Sequence, residues 1–224
     1  MKRGHGIGLV AASLAAASVV RAVDERRELR RALAGTIGTT TIETDEQLQE
    51  LHHHLHTNID PNAIEREARR PILRSRAVDT WRTGEGLCGE NARLAITLLS
   101  LGDVPANRLY LKGERWEHCM VEAQWSGQWV AFDGHQDPSL QMQDDQIGHI
   151  PSDRLELFPN TASRNPWRRA VRFKPLLRLP ATSLDRIRPP QIVVRIAESP
   201  DLLRGLGLSI VALVVPWIDR GLRR

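Results

Sequence analysis

Gly86-Leu87-Cys88-Gly89-Glu90-Asn91-Ala92, then Glu117-His118-Cys119-Met120, then Gln128-Trp129-Val130-Ala131-Phe132-Asp133 are the segments on which this chain turns. From Cys88 to Leu101 the sequence is rich in Ala and Leu, with no proline and no glycine after Gly89. Cys88, Ala92, Ala95, Ile96 and Leu99 recur at helical spacing. They predict an α-helix that carries the cysteine on its inward stripe, at its N-terminal end. Gly84 and Gly86 suit a tight loop before it, and Gly102 suits a stop after its last turn. Unpaired N–H groups and the helix dipole favour a thiolate at that end. A free cysteine is also often a small buried apolar residue, and helix position alone does not separate the two readings.

The next two segments read as a hairpin. Ser126-Gly127 suits a two-residue turn, which pairs Trp125 with Gln128 and Met120 with Asp133. His118 then lies opposite His135, with Asp133 on the diagonal and within reach. Strand alternation puts His118, Met120, Glu122, Trp129, Ala131 and Asp133 on one face. Cys119, Val121, Ala123, Val130 and Phe132 take the other, an apolar packing face. A slip of one residue would turn His118 and Asp133 to the wrong side. Cys88, His118 and Asp133 are thus the residue types of a nucleophilic site: a thiol, a base, and a carboxylate that orients the base.

From about Trp81 to Asp137 the chain resembles the transglutaminase-like superfamily of cysteine acyltransferases and proteases. The likeness rests on Gly86-Leu87-Cys88 entering a helix that ends at Leu101-Gly102, and on a strand at Pro105–Leu111. It continues with a His-x-x-x-Glu strand at His118–Glu122 and a Gly-x-Trp-x-x-x-Asp strand at Gly127, Trp129 and Asp133. The resemblance implies a catalytic triad of Cys88, His118 and Asp133. The family usually has an aromatic residue two places after the histidine, where this chain has Met120. The Cys88 backbone N–H is a candidate oxyanion donor, and the Trp81 indole N–H is a tentative second one; Trp81 can equally cover the edge of the core. No cofactor and no metal are assigned. His52 and His56 share a helix face, but the sequence places no acidic third ligand beside them.

Hydrophobic residues make up 41% and charged residues 26% of the chain, which is ordinary for a globular protein. The net charge of +4 comes mainly from arginine. There is no basic helix with interleaved aromatics and no nucleic-acid motif, so nucleic acid is not assigned as a partner. Residues 1–40 read as an apolar N-terminal segment and basic helix, a candidate membrane anchor bounded by Lys2, Arg3 and Arg21. Residues 41–150 read as the catalytic domain. Thr44–Gln47 is a capping box that opens a helix running to about His56, and Asp60-Pro61 restarts a helix to about Thr80. Residues 150–200 hold eight of the thirteen prolines, so 151–200 is read as a Pro/Arg-rich extended wrap with Asp144-Asp145 as a loop tip before it. Residues 201–224 form a C-terminal apolar segment, short for a span and interrupted by Pro216; the two apolar ends can lie in an interface or pair as a hairpin.

The fold expected is α+β, transglutaminase-like or papain-like: N-terminal helices, with the nucleophile helix packed on an antiparallel sheet. The function expected is cysteine-dependent acyl transfer or amide and peptide hydrolysis, on a protein or peptide/amide substrate. One alternative is a non-enzymatic interaction module of the same fold at a membrane. Another is arylamine N-acetyltransferase-type acyl transfer, which would need an acetyl-CoA site that the sequence does not display. Both thiols are expected to be free, with Cys119 turned away from Cys88. The location expected is membrane-associated or cytoplasmic, of bacterial type.

Overall fold

The computed structural model describes residues 3–61, 75–114, 117–135, 142–143, 146–147, 167–172 and 187–221. Within them the chain is α+β. The helices are α1 (Arg3–Ile37), α2 (Asp45–Asn58), α3 (Ala77–Thr83), α4 (Cys88–Leu101), α5 (Gln191–Ala197) and α6 (Pro200–Gly221). The strands are β1 (Ala106–Lys112), β2 (Glu117–Trp125), β3 (Gln128–Phe132), β4 (Met142–Gln143), β5 (Gln146–Ile147) and β6 (Arg169–Val171). The main sheet has the order β3-β2-β1-β6, antiparallel throughout; β4 and β5 form a separate two-stranded ribbon.

The hairpin takes the register expected from its turn. Trp125 pairs with Gln128 and Val121 with Phe132. Ser126 (φ 48°) and Gly127 (φ 79°) both lie in the left-handed region, as a two-residue turn that follows the strand twist requires. Cys119, Val121, Ala123, Val130 and Phe132 face α4 and join its Ala92, Ala95, Ile96 and Leu99 in the main core. Met120 and Ala131 face the other way, into a smaller cluster with Leu109, Leu111 and Trp167. α4 is more enclosed than its stripe suggests: Leu94, Leu98 and Leu101 are buried as well, because α1, α3 and the sheet surround it. Each fully buried leucine contributes about 2–3 kcal/mol.

Gly102 ends α4 for a different reason from the one expected. Its φ of −86° is open to any residue, and Asp103 takes the left-handed turn at φ 63°. A Cβ on Gly102 would lie 2.7 Å from two side-chain atoms of Ile42, so close packing is what requires glycine there. The Thr44–Gln47 capping box is present and opens α2. The helix expected from Asp60 falls mostly outside the described residues, as do Asp144-Asp145; α3 begins at Ala77. The stretch read as an extended wrap is also largely outside them, and it contributes strand β6 and helix α5. Buried Leu29, Leu33 and Ile37 seat the second half of α1 on the core. The two apolar ends of the sequence lie together, α1 against α6.

Candidate active site

Four segments build the site. Asp60 and Glu85 form an isolated parallel bridge, in which the Asp60 N–H donates to the Gly84 carbonyl at 2.7 Å and the Gly86 N–H to the Asp60 carbonyl at 3.1 Å. That bridge pins the loop ahead of α4. Glu90 caps the helix start: its Oε2 accepts the Leu87 N–H at 3.1 Å, and its Oε1 accepts the Ser75 hydroxyl at 2.8 Å. Cys88, half-buried, is therefore held at the first position of the helix. The remaining segments are the first residues of β2 and the chain just past β3.

β3 ends at Phe132, which pairs with Val121, so residues 118–120 of β2 have no β3 partner. The N-terminus of α4 approaches this uncovered edge. The Cys88 thiol lies near enough to His118 and to the backbone of Cys119 for both to favour its ionised form. His118 Nε2 donates to Asp133 Oδ2 at 2.6 Å. The imidazole is hydrogen-bonded to the carboxylate and is coupled electrostatically to the thiol.

The electrostatics follow from this arrangement. Burial opposes ionisation of Cys88, but the hydrogen bond and charge of His118 and the N–H groups of Cys119 and Gly89 outweigh it, and the thiol titrates below its ordinary value. Burial pulls His118 down, but the charge and hydrogen bond of Asp133, with Cys88, lift it to about 10. Asp133 is 3% exposed. Burial would raise its carboxyl, yet His118 and the His135 backbone N–H hold it below the usual carboxylate range.

Asp133 is itself fixed from three sides. The His135 N–H donates to its Oδ1 at 3.0 Å. His52 Nε2, on α2, donates to its backbone carbonyl at 2.6 Å, and the His52 ring packs on Phe132 with centroids 4.7 Å apart. Gly134 allows the chain to pass tightly over α4: a Cβ there would lie 2.5 Å from Asn91 Oδ1. His52 lies on the buried stripe of α2 with Leu48, Leu51 and Leu55. A polar residue on an apolar stripe was the signal for its role. His135 stands beside His118 as the register implied, ring centroids 6.2 Å apart. Burial lowers the His135 pKa.

Cys119 is corrected. Its side chain does point away from His118, but that side is the one on which α4 lies. The thiol is buried close enough to Cys88 to feel its charge. Burial pushes its pKa to about 11. Both cysteines are free. Beneath them lies a buried charge group absent from the sequence reading. Arg108 Nη1 donates to the Gly89 carbonyl at 2.9 Å and to the Cys119 sulfur at 3.1 Å. Its Nε and Nη2 donate to Glu198 at 2.8 and 2.5 Å, and Arg93 lies 3.5 Å from the same carboxylate. Glu198 thereby ties the α5–α6 junction to the start of α4. On the His118 face, fully buried Glu122 accepts from Arg172 at 2.9 Å and from Arg188 at 3.0 and 3.2 Å. Trp81 lies at the core edge, its indole stacked on His54 with centroids 4.8 Å apart. Among the described residues no group of three or more His, Cys, Asp or Glu is placed to hold a metal ion.

No family model and no curated protein matches the chain. Among solved structures, a candidate cysteine protease from Cytophaga hutchinsonii is similar at 19% identity and a TM-score of 0.40. The match covers 50% of this chain and 38% of that one.

Proposed function

We propose that the protein is a cysteine-dependent acyl-transfer enzyme or amide/peptide hydrolase of transglutaminase-like fold, with Cys88, His118 and Asp133 as its catalytic residues. The observation that carries this reading is His118, hydrogen-bonded to a buried carboxylate and coupled to a thiol with a lowered pKa. The thiolate attacks an amide carbonyl carbon and forms a C–S bond. The imidazolium gives its proton to the departing nitrogen as the C–N bond breaks, leaving a thioester and a neutral imidazole. Water or a second amine then attacks the thioester, His118 takes its proton, and the thiolate is restored. Asp133 holds the tautomer and stabilises the imidazolium.

The Cys88 N–H, at the start of α4, is the donor we assign to the tetrahedral oxyanion, a contact worth roughly 3 kcal/mol in comparable sites. Trp81 is the candidate second donor. Trp81→Phe keeps a ring on His54 and removes the indole N–H, so lower turnover with unchanged melting supports that role. The main test is hydrolysis of a peptide-amide library by wild type and Cys88→Ala, with trapping of the thioester on Cys88 by intact mass. Turnover that survives in Cys88→Ala would exclude the reading.

A further inference from the structure

The outer halves of α1 and α6 stand apart from the core as an antiparallel pair. Arg21 faces Asp201 at 3.9 Å, and a Cβ on Gly205 would meet the Ala15 carbonyl at 3.4 Å and Ser18 at 3.6 Å. The contact stripe of α1 is small: Ala11, Ala15, Ser18 and Ala22 are all buried. Its large aliphatic residues turn outward. Leu9 is 72% and Leu213 75% exposed, and Leu14, Val20, Leu206 and Ile210 are exposed with them. A helix pair built for water turns large apolar side chains inward. In lipid the order reverses: small residues let the helices approach, and large ones meet the acyl chains.

The exposed apolar surface is a sleeve and not a patch. Between Ile7 and Arg21 only Ala11, Ala15 and Ser18 of α1 are buried, so exposure runs round most of the helix. A second copy of the chain would cover one side, whereas a bilayer covers all of it. The ends of the sleeve are charged. Seventeen residues without Lys, Arg, Asp or Glu separate Arg3 from Arg21, and fourteen separate Arg204 from Asp219-Arg220. At 1.5 Å per residue these stretches are about 25 and about 21 Å long. Arg21 and Arg204 sit at one level, both beside Asp201. Helix rise carries Arg3 and Arg220 to the opposite level. Among the described residues α1 is the helix long and apolar enough to cross a membrane.

We propose that the outer halves of α1 and α6 insert side by side into a lipid bilayer, with Arg21 and Arg204 at one headgroup layer and Arg3 and Arg220 at the other. The stretches are short for a hydrocarbon core of about 30 Å, so the pair suits a thin or locally thinned bilayer, with the Arg21 and Arg204 stems reaching outward. The core that bears Cys88 then rides at the headgroup surface, beside Arg21 and Arg204.

The test uses the full chain, purified in detergent and reconstituted with phosphatidylcholine/phosphatidylglycerol vesicles of myristoyl or erucoyl chains. Flotation is measured before and after high salt and alkaline carbonate. The expected result is flotation that survives both washes and is greater in the myristoyl vesicles. Leu9→Glu with Leu213→Glu touches no core contact; it should reduce carbonate-resistant flotation by at least about tenfold while circular dichroism and Cys88 alkylation stay unchanged. The proposal is overturned by a monodisperse protein that needs no detergent and does not float. It is equally overturned by flotation that salt or carbonate removes, by unchanged flotation of the double variant, or by a lipid-free dimer that buries this surface.

Discussion

Asp133→Asn removes one charge from the site and almost no volume. Burial alone would place His118 below 6.5, and the charge and hydrogen bond of Asp133 are the largest reasons it sits at about 10 instead. That interval corresponds to an interaction of at least about 5 kcal/mol, shared with Cys88. Loss of the carboxylate should release most of it, roughly 4 kcal/mol, enough to bring His118 down by about three pH units, to near neutrality. Cys88 then loses its cationic partner as pH rises through neutrality, and its thiol should return towards the ordinary range near 8.5. The assay is the rate of Cys88 alkylation by iodoacetamide against pH, read by intact mass. Wild type should react from below the ordinary thiol range, with a further change near pH 10 where His118 gives up its proton. The Asn variant should react about tenfold more slowly near pH 7.5, with its inflection moved upward. Peptide turnover should fall by roughly 10³-fold or more, as in related triads. Superimposable pH profiles for the two proteins would refute the reasoning, because His118 would then owe its charge to something else.

The other predictions concern stability. In Cys88→Ala no active-site thiol titrates against His118, and Asp133 still raises the histidine. Its contribution is then complete below about pH 6.5 and lost as pH rises through the folded value, so the melting temperature should slope down on the alkaline side, and adding Asp133→Asn should flatten that slope. Glu198→Ala leaves Arg108 buried without its carboxylate and should cost about 3–5 kcal/mol in urea denaturation, whereas Arg108→Met with Glu198→Leu should cost much less. Gly134→Ala places a Cβ 2.5 Å from Asn91 Oδ1 and should cost about 1–3 kcal/mol. Asn91→Ala should remove most of that penalty, which a double-mutant cycle measures.

Much of the site's layout was open to a reader of the residues. The turn at Ser126-Gly127 fixes the hairpin register, because side chains alternate with a period of two and a single turn sets them all. From that register follow the shared face of His118 and Asp133 and the nearness of His135. The stripe through Ala92, Ala95, Ile96 and Leu99 fixes the inward side of α4. What stayed hidden depends on pairs distant in the chain. Arg108 and Glu198 are ninety positions apart and each looks like a surface charge; only the fold encloses them together. His52 looked like one of a crowd of helix histidines until α2 was laid against the end of β3.

The local sequence therefore determined which faces are apolar, where the hairpin turns and which residue opens the helix, since these depend on backbone sterics and on the period of each element. The tertiary structure decided which groups meet. In it, β3 stops one pair short of Met120 and leaves an open edge, and the tip of α4 lies near enough to it for His118 to lower the Cys88 pKa. It also decided that the two apolar ends of the chain lie side by side with their small residues inward, because close approach between helices is a property of the pair and not of either helix alone.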